Sequence, residues 1–351
     1  MKTEILSLSN MTIREIAGRA AAVLSSGGLS AFPTETVYGL GGNGLSPESA
    51  GKIYAAKGRP SDNPLILHIG WKKQLKPLVK KIPEKAKKLI RAFWPGPLTI
   101  IFEKSDLVPE RTSGGLPTVA VRMPSHPAAK AILRAVPFPV AAPSANLSGR
   151  PSTTRASHVI EDLDGRVEQI IDGGDVPIGV ESTIIDLTGP EPVLLRYGYI
   201  TVDEIEAVIG PIRIDPAIRA ENIVSHSVMV EHPKAPGMKY RHYAPKMPLF
   251  IVSGTEDDIL SAIRRKASEK TGILTYDEHL ACFPEGRKVS VGSIGNPEEA
   301  AHRLFDALRQ FDALPVEIIY AEDMSAHDIG GAIMNRLLKA AGGNLVSAEK
   351  L

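Results

Sequence analysis

The sequence predicts an α/β protein of two domains. A twisted mixed sheet with flanking helices is expected over residues 1–210, then a connector at 211–247, then a smaller parallel α/β domain over 248–351. Three observations carry this. A chain of 351 residues exceeds what one core of ordinary size supports. Up to about residue 210, short β-branched runs between turn signals outnumber helical stretches, as in a mixed sheet. Beyond 247, strand-like and helical runs alternate, which implies parallel strands joined by crossover helices.

The elements follow in order. Thr12 with Glu15 forms a capping-box pattern, Ile13, Ile16, Ala20 and Val23 share a helical face, and Gly27-Gly28 ends that helix. A short strand, LSAF, comes next. Ser46-Pro47-Glu48 reads as N-cap, N1 proline and acidic first turn of a helix running to about Ala56. PLILHI is a strand, and KAKKLIRAFW is a helix closed by Pro95-Gly96-Pro97. LTIIFE, TVAVRM, FPVAAPSA, EQIID and STIIDL read as further strands. The connector carries five prolines, and its stretch SHSVMVEHPKAPGMKYRHYAPK shows neither helix nor strand period and clusters aromatic and basic residues. After it, LFIVS, TGILTY, KVSVGS and VEIIYAE are strands, separated by helices at Glu256–Ser268, Pro297–Leu314 and Ile329–Ala341.

Composition excludes several classes. Forty-one basic side chains balance forty acidic ones, so overall charge predicts no polyanion partner, although a local basic surface is compatible with it. The single cysteine, Cys282, rules out an internal disulfide and a thiolate metal cage and suits a reducing cytosol. No apolar run reaches the roughly 18 residues of a membrane span, and the first residues lack a signal-peptide core. A cytoplasmic protein without membrane contact is expected.

The stretch FPTETVYGLGGNG contains Gly39-x-Gly41-x-x-Gly44, the spacing of a dinucleotide loop. That loop needs an apolar strand feeding directly into the glycines, whereas Pro33, Thr34, Glu35 and Thr36 intervene here. The glycines read instead as a turn into the Ser46 helix, with the polar PTET segment facing a ligand. Asp62, at the distance of a ribose-binding acid, follows a polar turn rather than a second strand. His226 and His232, six residues apart in a proline-rich stretch, form no metal pattern, and the sequence identifies no metal ligands.

A polar constellation remains where strands and helices end. KGRPSDNP brings Lys57, Arg59 and Asn63, which could equally be a cationic helix C-terminus with a polar turn. His68 lies inside LILHI, where a satisfied core histidine is the commoner case. Arg122 ends the apolar TVAVR, so it needs a bound anion or a buried carboxylate. Ser144 and Asn146 follow an apolar strand, Ser182 starts another, and Arg196 follows Leu194-Leu195. Four cations with uncharged donors at sheet ends have the composition of a polyphosphate pocket. No nucleophile with an adjacent base stands out, so positioning and electrostatics are the expected means of catalysis.

The blocks FPTETVYGLGGNG, KGRPSDNPLILHI, WPGPLTII, AVRMPSHP, APSANLSGRPS, GVESTIID and LLRYG together resemble the YrdC-like domain of threonylcarbamoyl-AMP synthases, over about residues 10–205. The remainder, with PGMKYRHYAP, is similar to the long two-domain form, whose smaller domain is Rossmann-like. The resemblance implies a nucleotidyltransferase that converts L-threonine, bicarbonate and ATP, with Mg²⁺, into threonylcarbamoyl-adenylate and pyrophosphate. Separate transferase machinery would then use the product to modify tRNA. It implies that Thr36, His68, Arg122 and Ser182 hold threonine and the carbamate. Lys57, Arg59, Asn63, Thr118, Ser144, Asn146, Ser152 and Arg196 would hold the nucleotide, with Lys57, Arg59 and Arg122 acting in catalysis. Tyr240, His242 and Tyr243 would form a lid. Two other readings stand beside this one: an RNA-binding module using the same basic concavity, and a carbamoyl or acyl transferase that consumes a preformed adenylate.

Overall fold

The computed structural model describes residues 2–225, 234–235, 242–325 and 330–351. Eleven strands form the first sheet: β1 (Glu4–Ser7), β2 (Ser30–Pro33), β3 (Tyr38–Asn43), β4 (Ile66–His68), β5 (Leu98–Glu103), β6 (Thr118–Arg122), β7 (Val140–Ala141), β8 (Gln169–Asp172), β9 (Thr183–Asp186), β10 (Val193–Arg196) and β11 (Arg213–Ile214). Their order is β1-β8-β2-β3-β7-β4-β6-β5-β9-β10-β11, with parallel and antiparallel neighbours mixed. The second sheet holds β12 (Leu249–Ser253), β13 (Thr271–Thr275), β14 (Arg287–Ser290), β15 (Ile318–Glu322) and β16 (Leu345–Ser347). It is parallel throughout, in the order β14-β13-β15-β12-β16. Both the mixed and the parallel sheet match the expected fold class.

The helices are α1 (Ile13–Ser25), α2 (Pro47–Lys57), α3 (Glu84–Phe93), α4 (Glu110–Ser113), α5 (Pro127–Ala135), α6 (Ala156–Leu163), α7 (Val202–Ile209), α8 (Ala220–Ser225), α9 (Glu256–Lys266), α10 (Pro297–Phe311) and α11 (Gly330–Ala341). Local chemistry explains the ends of α1 and α2. Thr12 and Glu15 make both bonds of the capping box on α1. Its buried stripe is Ile16, Ala17, Ala20 and Leu24, rotated from the expected face so that Ile13 is exposed. Ser46 caps α2 with Pro47 in the first turn, and Gly58 at φ 60° closes it in the left-handed conformation. That closure leaves Lys57 as the last helical residue.

Three expectations are corrected. Of the GxGxxG glycines, Gly44 alone lies in the turn into α2: β3 runs through Gly39, Gly41 and Gly42, antiparallel to β2. A Cβ on Gly41 would stand 2.6 Å from Phe32, and one on Gly44 would stand 2.4 Å from Leu67. The glycines are therefore set by close packing against neighbouring side chains. The strand expected from FPVAAPSA is regular only over Val140–Ala141, and the chain beyond it stays irregularly paired with β3: Leu40 donates to the Pro143 carbonyl and Ala145 to the Tyr38 carbonyl, both at 2.8 Å. The connector region begins with structure: β11 pairs with β10, and α8 follows before residue 226.

The main core lies around the first sheet. The core of the second sheet, built on Leu304, Phe305, Leu308 and Leu337, also takes in Val37, Val180 and Tyr243, so it reaches the loops of the first sheet. No helix of the described residues is long and apolar enough to cross a membrane.

Candidate active site

Strand register assembles the site. His68 ends β4 opposite Arg122, which ends β6. Arg122 in turn pairs with Thr99 of β5, Leu98 pairs with Thr183 of β9, and Arg196 of β10 pairs with Ile184. Five adjacent strands thus place His68, Arg122, Ser182 and Arg196 along one row. The loops at Thr36, after Lys57 and at Ser144–Asn146 close the sides. Together they bound a cleft enclosing about 660 Å³ of space, open solvent at its mouth included.

Each polar side chain is held from behind. The Lys57 ammonium donates to the carbonyls of Ser144, at 2.5 Å, and of Asn146. Its third donor stays available, as an ammonium carries three. Arg59 donates through Nη2 to the carbonyls of Asn63 and Pro64, at 3.2 and 3.0 Å. Arg122 donates from Nε to the Gly96 carbonyl at 3.3 Å and from Nη1 to Thr36 Oγ1 at 3.0 Å, and its Nη2 lies 2.7 Å from Glu35. Arg196 grips Ser182 twice, Nε on its carbonyl and Nη2 on its hydroxyl, both at 3.0 Å. Ser144 donates to Asn146 Oδ1, and the Asn146 amide donates to the Leu147 and Arg150 carbonyls.

Electrostatics favour an anion. Lys57, Arg59, Arg122 and Arg196 line the cleft against one acid, Glu181, among the described residues. Burial, then neighbouring Arg59, pulls the Lys57 pKa well below its ordinary value. Burial lowers Arg196 to about 10, with Glu181 opposing the shift. Both effects measure a desolvated cationic site that a bound anion would relieve. Burial and then Arg122 push His68 down to about 3, so it is a neutral donor or acceptor at neutral pH. Burial would raise the Glu35 carboxyl, but the Arg122 charge more than offsets this and holds it below its ordinary value.

Eleven of the anticipated residues line this one cleft: Thr36, Lys57, Arg59, His68, Arg122, Ser144, Asn146, Ser182, Arg196, His242 and Tyr243. Asn63, Thr118 and Ser152 do not line it. Asn63 is buried behind Arg59, Thr118 opens β6 at the end opposite Arg122, and Ser152 is buried with its hydroxyl on Glu181 at 2.6 Å. Tyr240 lies outside the described residues, as do His226 and His232. From the connector's end, Ala244 donates its N–H to the Gly149 carbonyl at 2.9 Å, and Tyr243 adopts φ 66°. The Tyr243 ring stacks 5.0 Å from that of Phe305 in α10. A tyrosine at positive φ is a strained conformation, held here by packing on both sides.

Three residues escaped the sequence reading. Glu35 is the carboxylate that Arg122 required. Glu181 lines the cleft, and Arg336 of α11 donates to it at 3.0 Å. The signals were an acid beside two threonines, an acid at a buried strand entry, and an arginine among the apolar residues of α11. A divalent cation finds no cage, because among the described residues no three His, Cys, Asp or Glu side chains group to hold one.

A family model described as telomere recombination, the Sua5–YciO–YrdC model, matches residues 22–198. A second, described as the C-terminal domain of threonylcarbamoyl-AMP synthase, matches 200–342. The Bacillus subtilis threonylcarbamoyl-AMP synthase is 49% identical over 93% of this chain and 93% of its own. The Pyrococcus abyssi threonylcarbamoyl-AMP synthase is 48% identical over 93% and 94%. The crystal structure of Pyrococcus abyssi Sua5 complexed with L-threonine superposes with a TM-score of 0.91 at 44% identity, covering 99% of each chain.

Proposed function

The chain belongs to the family of threonylcarbamoyl-AMP synthases in its two-domain form, and from that premise we propose how its cleft performs the reaction. The enzyme is a nucleotidyltransferase. The threonine amine takes up carbon dioxide from bicarbonate as a carbamate. A carbamate oxygen attacks the α-phosphorus of ATP, and pyrophosphate leaves. Both reactants are anions, so the cationic cleft offsets their repulsion and the charge that develops on the phosphoryl oxygens. The observation that carries this reading is the row of Arg122, Ser182 and Arg196 facing Lys57 and Arg59 across one cleft.

Thr36, His68, Arg122 and Ser182 hold threonine and its carbamate in this proposal. Lys57, Arg59, Ser144, Asn146 and Arg196 hold the nucleotide, with Asn63, Thr118 and Ser152 extending or supporting its site. Mg²⁺ would offset phosphate charge. With no carboxylate cage in the described cleft, the donor set fits a metal that arrives on the triphosphate, and no step here is routed through it. His242 and Tyr243 act as a cover that excludes water from the acyl-adenylate, supported by their place in the cleft wall. The first 210 residues form the catalytic unit, 211–247 the connector and 248–351 the second domain. The product passes to a transferase acting on tRNA in the cytoplasm.

The test is incorporation of isotopic bicarbonate into an adenylate, read by mass spectrometry. Label in a threonine- and ATP-dependent adenylate supports the proposal, and unlabelled adenylate contradicts it. Filter binding of tRNA across a salt series separates the RNA-binding reading, for which a steep salt slope without pyrophosphate release is expected.

A further inference from the structure

Glu181 receives its partners from both parts of the chain. Ser152 donates to Oε1 at 2.6 Å, and Arg336 donates from Nε to Oε2 at 3.0 Å. The Nη1 of Arg336 also donates to the Tyr197 carbonyl, one residue beyond Arg196. Arg336 is 0% exposed and does not line the cleft. Its neighbour Asn335 donates to the Ile218 carbonyl at 3.0 Å. One turn of α11 therefore holds the rear of the cleft and the start of the connector together.

A buried carboxylate without a cation is costly, and it draws any nearby cation toward itself. In this cleft the nearest competitor is Arg196, whose Nε and Nη2 are engaged with Ser182. Satisfied by Arg336 and Ser152, Glu181 leaves Arg196 fixed on Ser182 with its charge directed at a ligand. Deprived of Arg336, Glu181 would act as an internal counter-anion that competes with the nucleotide's phosphates.

We propose that Arg336 is a positioning residue for the synthase reaction, acting through Glu181 to keep Arg196 available to the nucleotide. The second domain is then a working part of the catalytic cleft. The inference rests on the cleft being the ATP site.

The experiment uses the full-length protein and the variants Arg336→Met, Arg336→Lys, Glu181→Gln and the Arg336→Met/Glu181→Gln pair. Asp306→Asn is the control, because it weakens an interdomain contact with His158 without touching Glu181. Pyrophosphate release gives kcat and the KM for ATP separately, and thermal unfolding gives Tm. Arg336→Met is expected to raise the KM for ATP about tenfold or more, with kcat changed less than about threefold, as for a lost binding interaction. Arg336→Lys recovers most of that loss. The paired variant is no worse than Arg336→Met, since the arginine acts through the acid. Asp306→Asn lowers Tm and leaves KM alone.

A parental KM in Arg336→Met with only Tm reduced overturns the proposal, as do losses that multiply in the paired variant. Should Arg336→Met fail to fold, Arg336→Gln, which keeps a hydrogen-bond donor to Glu181 without the charge, carries the test: a raised KM for ATP supports the proposal, and a parental KM overturns it. Parental enzyme that releases pyrophosphate without threonine would sink the underlying function instead, so the two failures are distinguishable.

Discussion

The Arg122 guanidinium, which lines the cleft, stands 2.7 Å from the carboxylate of Glu35, and both side chains are buried. Part of the charge expected to meet a substrate carboxylate is therefore matched within the protein. The pair fixes Arg122 in place at the cost of some of its pull on a ligand.

Glu35→Gln should destabilise the fold by about 3 kcal/mol at neutral pH, the cost of leaving one buried partner unpaired. The Glu35 pKa is depressed from 4.5 in the folded state, so the unfolded chain takes up the proton first on acidification. The stabilisation is fully present above about pH 4.5 and is lost as pH falls through the lower folded value. Urea unfolding of parent and variant should therefore converge at acid pH. An equal gap at pH 7 and pH 3 would contradict this.

Lys57→Met should reduce kcat/KM by about a hundredfold or more, because one desolvated cation disappears from the phosphate site. Lys57→Arg should not restore it. The ammonium is seated between the carbonyls of Ser144 and Asn146, where a planar guanidinium has no matching geometry. Steady-state kinetics checks both, and full activity in the arginine variant would refute the seating argument.

His68 should stay neutral in the folded enzyme from pH 5 to 8, so its imidazole resonances should not titrate there by NMR. Its folded pKa of about 3 lies below the ordinary 6.5, so the unfolded state binds the proton first. Stability should decline as pH falls from about 6.5 towards 3, and His68→Asn should flatten that limb. A titration midpoint near 6.5 would contradict the burial argument.

Arg309→Met should cost about 3 kcal/mol, measured by denaturant, because it strips one cation from the buried Asp162. Arg309 donates to both Asp162 oxygens, at 3.2 and 2.8 Å, across the contact between the two sheets' domains. A loss below about 0.5 kcal/mol, typical of an exposed pair, would show that the contact is solvated.

The sequence was most legible where chemistry is local. The Thr12 and Ser46 caps, the apolar strands and the charges at their ends all announce themselves within a few residues. The cleft residues were legible for the same reason: Arg122 after four strand residues demanded an anion, and Glu35 supplies one. Long-range pairing hid the rest. Gly39, Gly41 and Gly42 of FPTETVYGLGGNG lie in a strand, and position 41 is glycine because Phe32 and Val140 occupy the space a side chain would need there. The link from Arg336 to Glu181 spans 155 positions, and no local pattern encodes it. The fold of that stretch also answers what its polar half does: Thr36 accepts from Arg122 at 3.0 Å, while the glycines pack strands behind it.

The most direct measurement of the central claim is pyrophosphate release by the full-length enzyme with threonine, bicarbonate and ATP each omitted in turn. Release that requires all three is the predicted result. Release that persists without threonine would contradict the account.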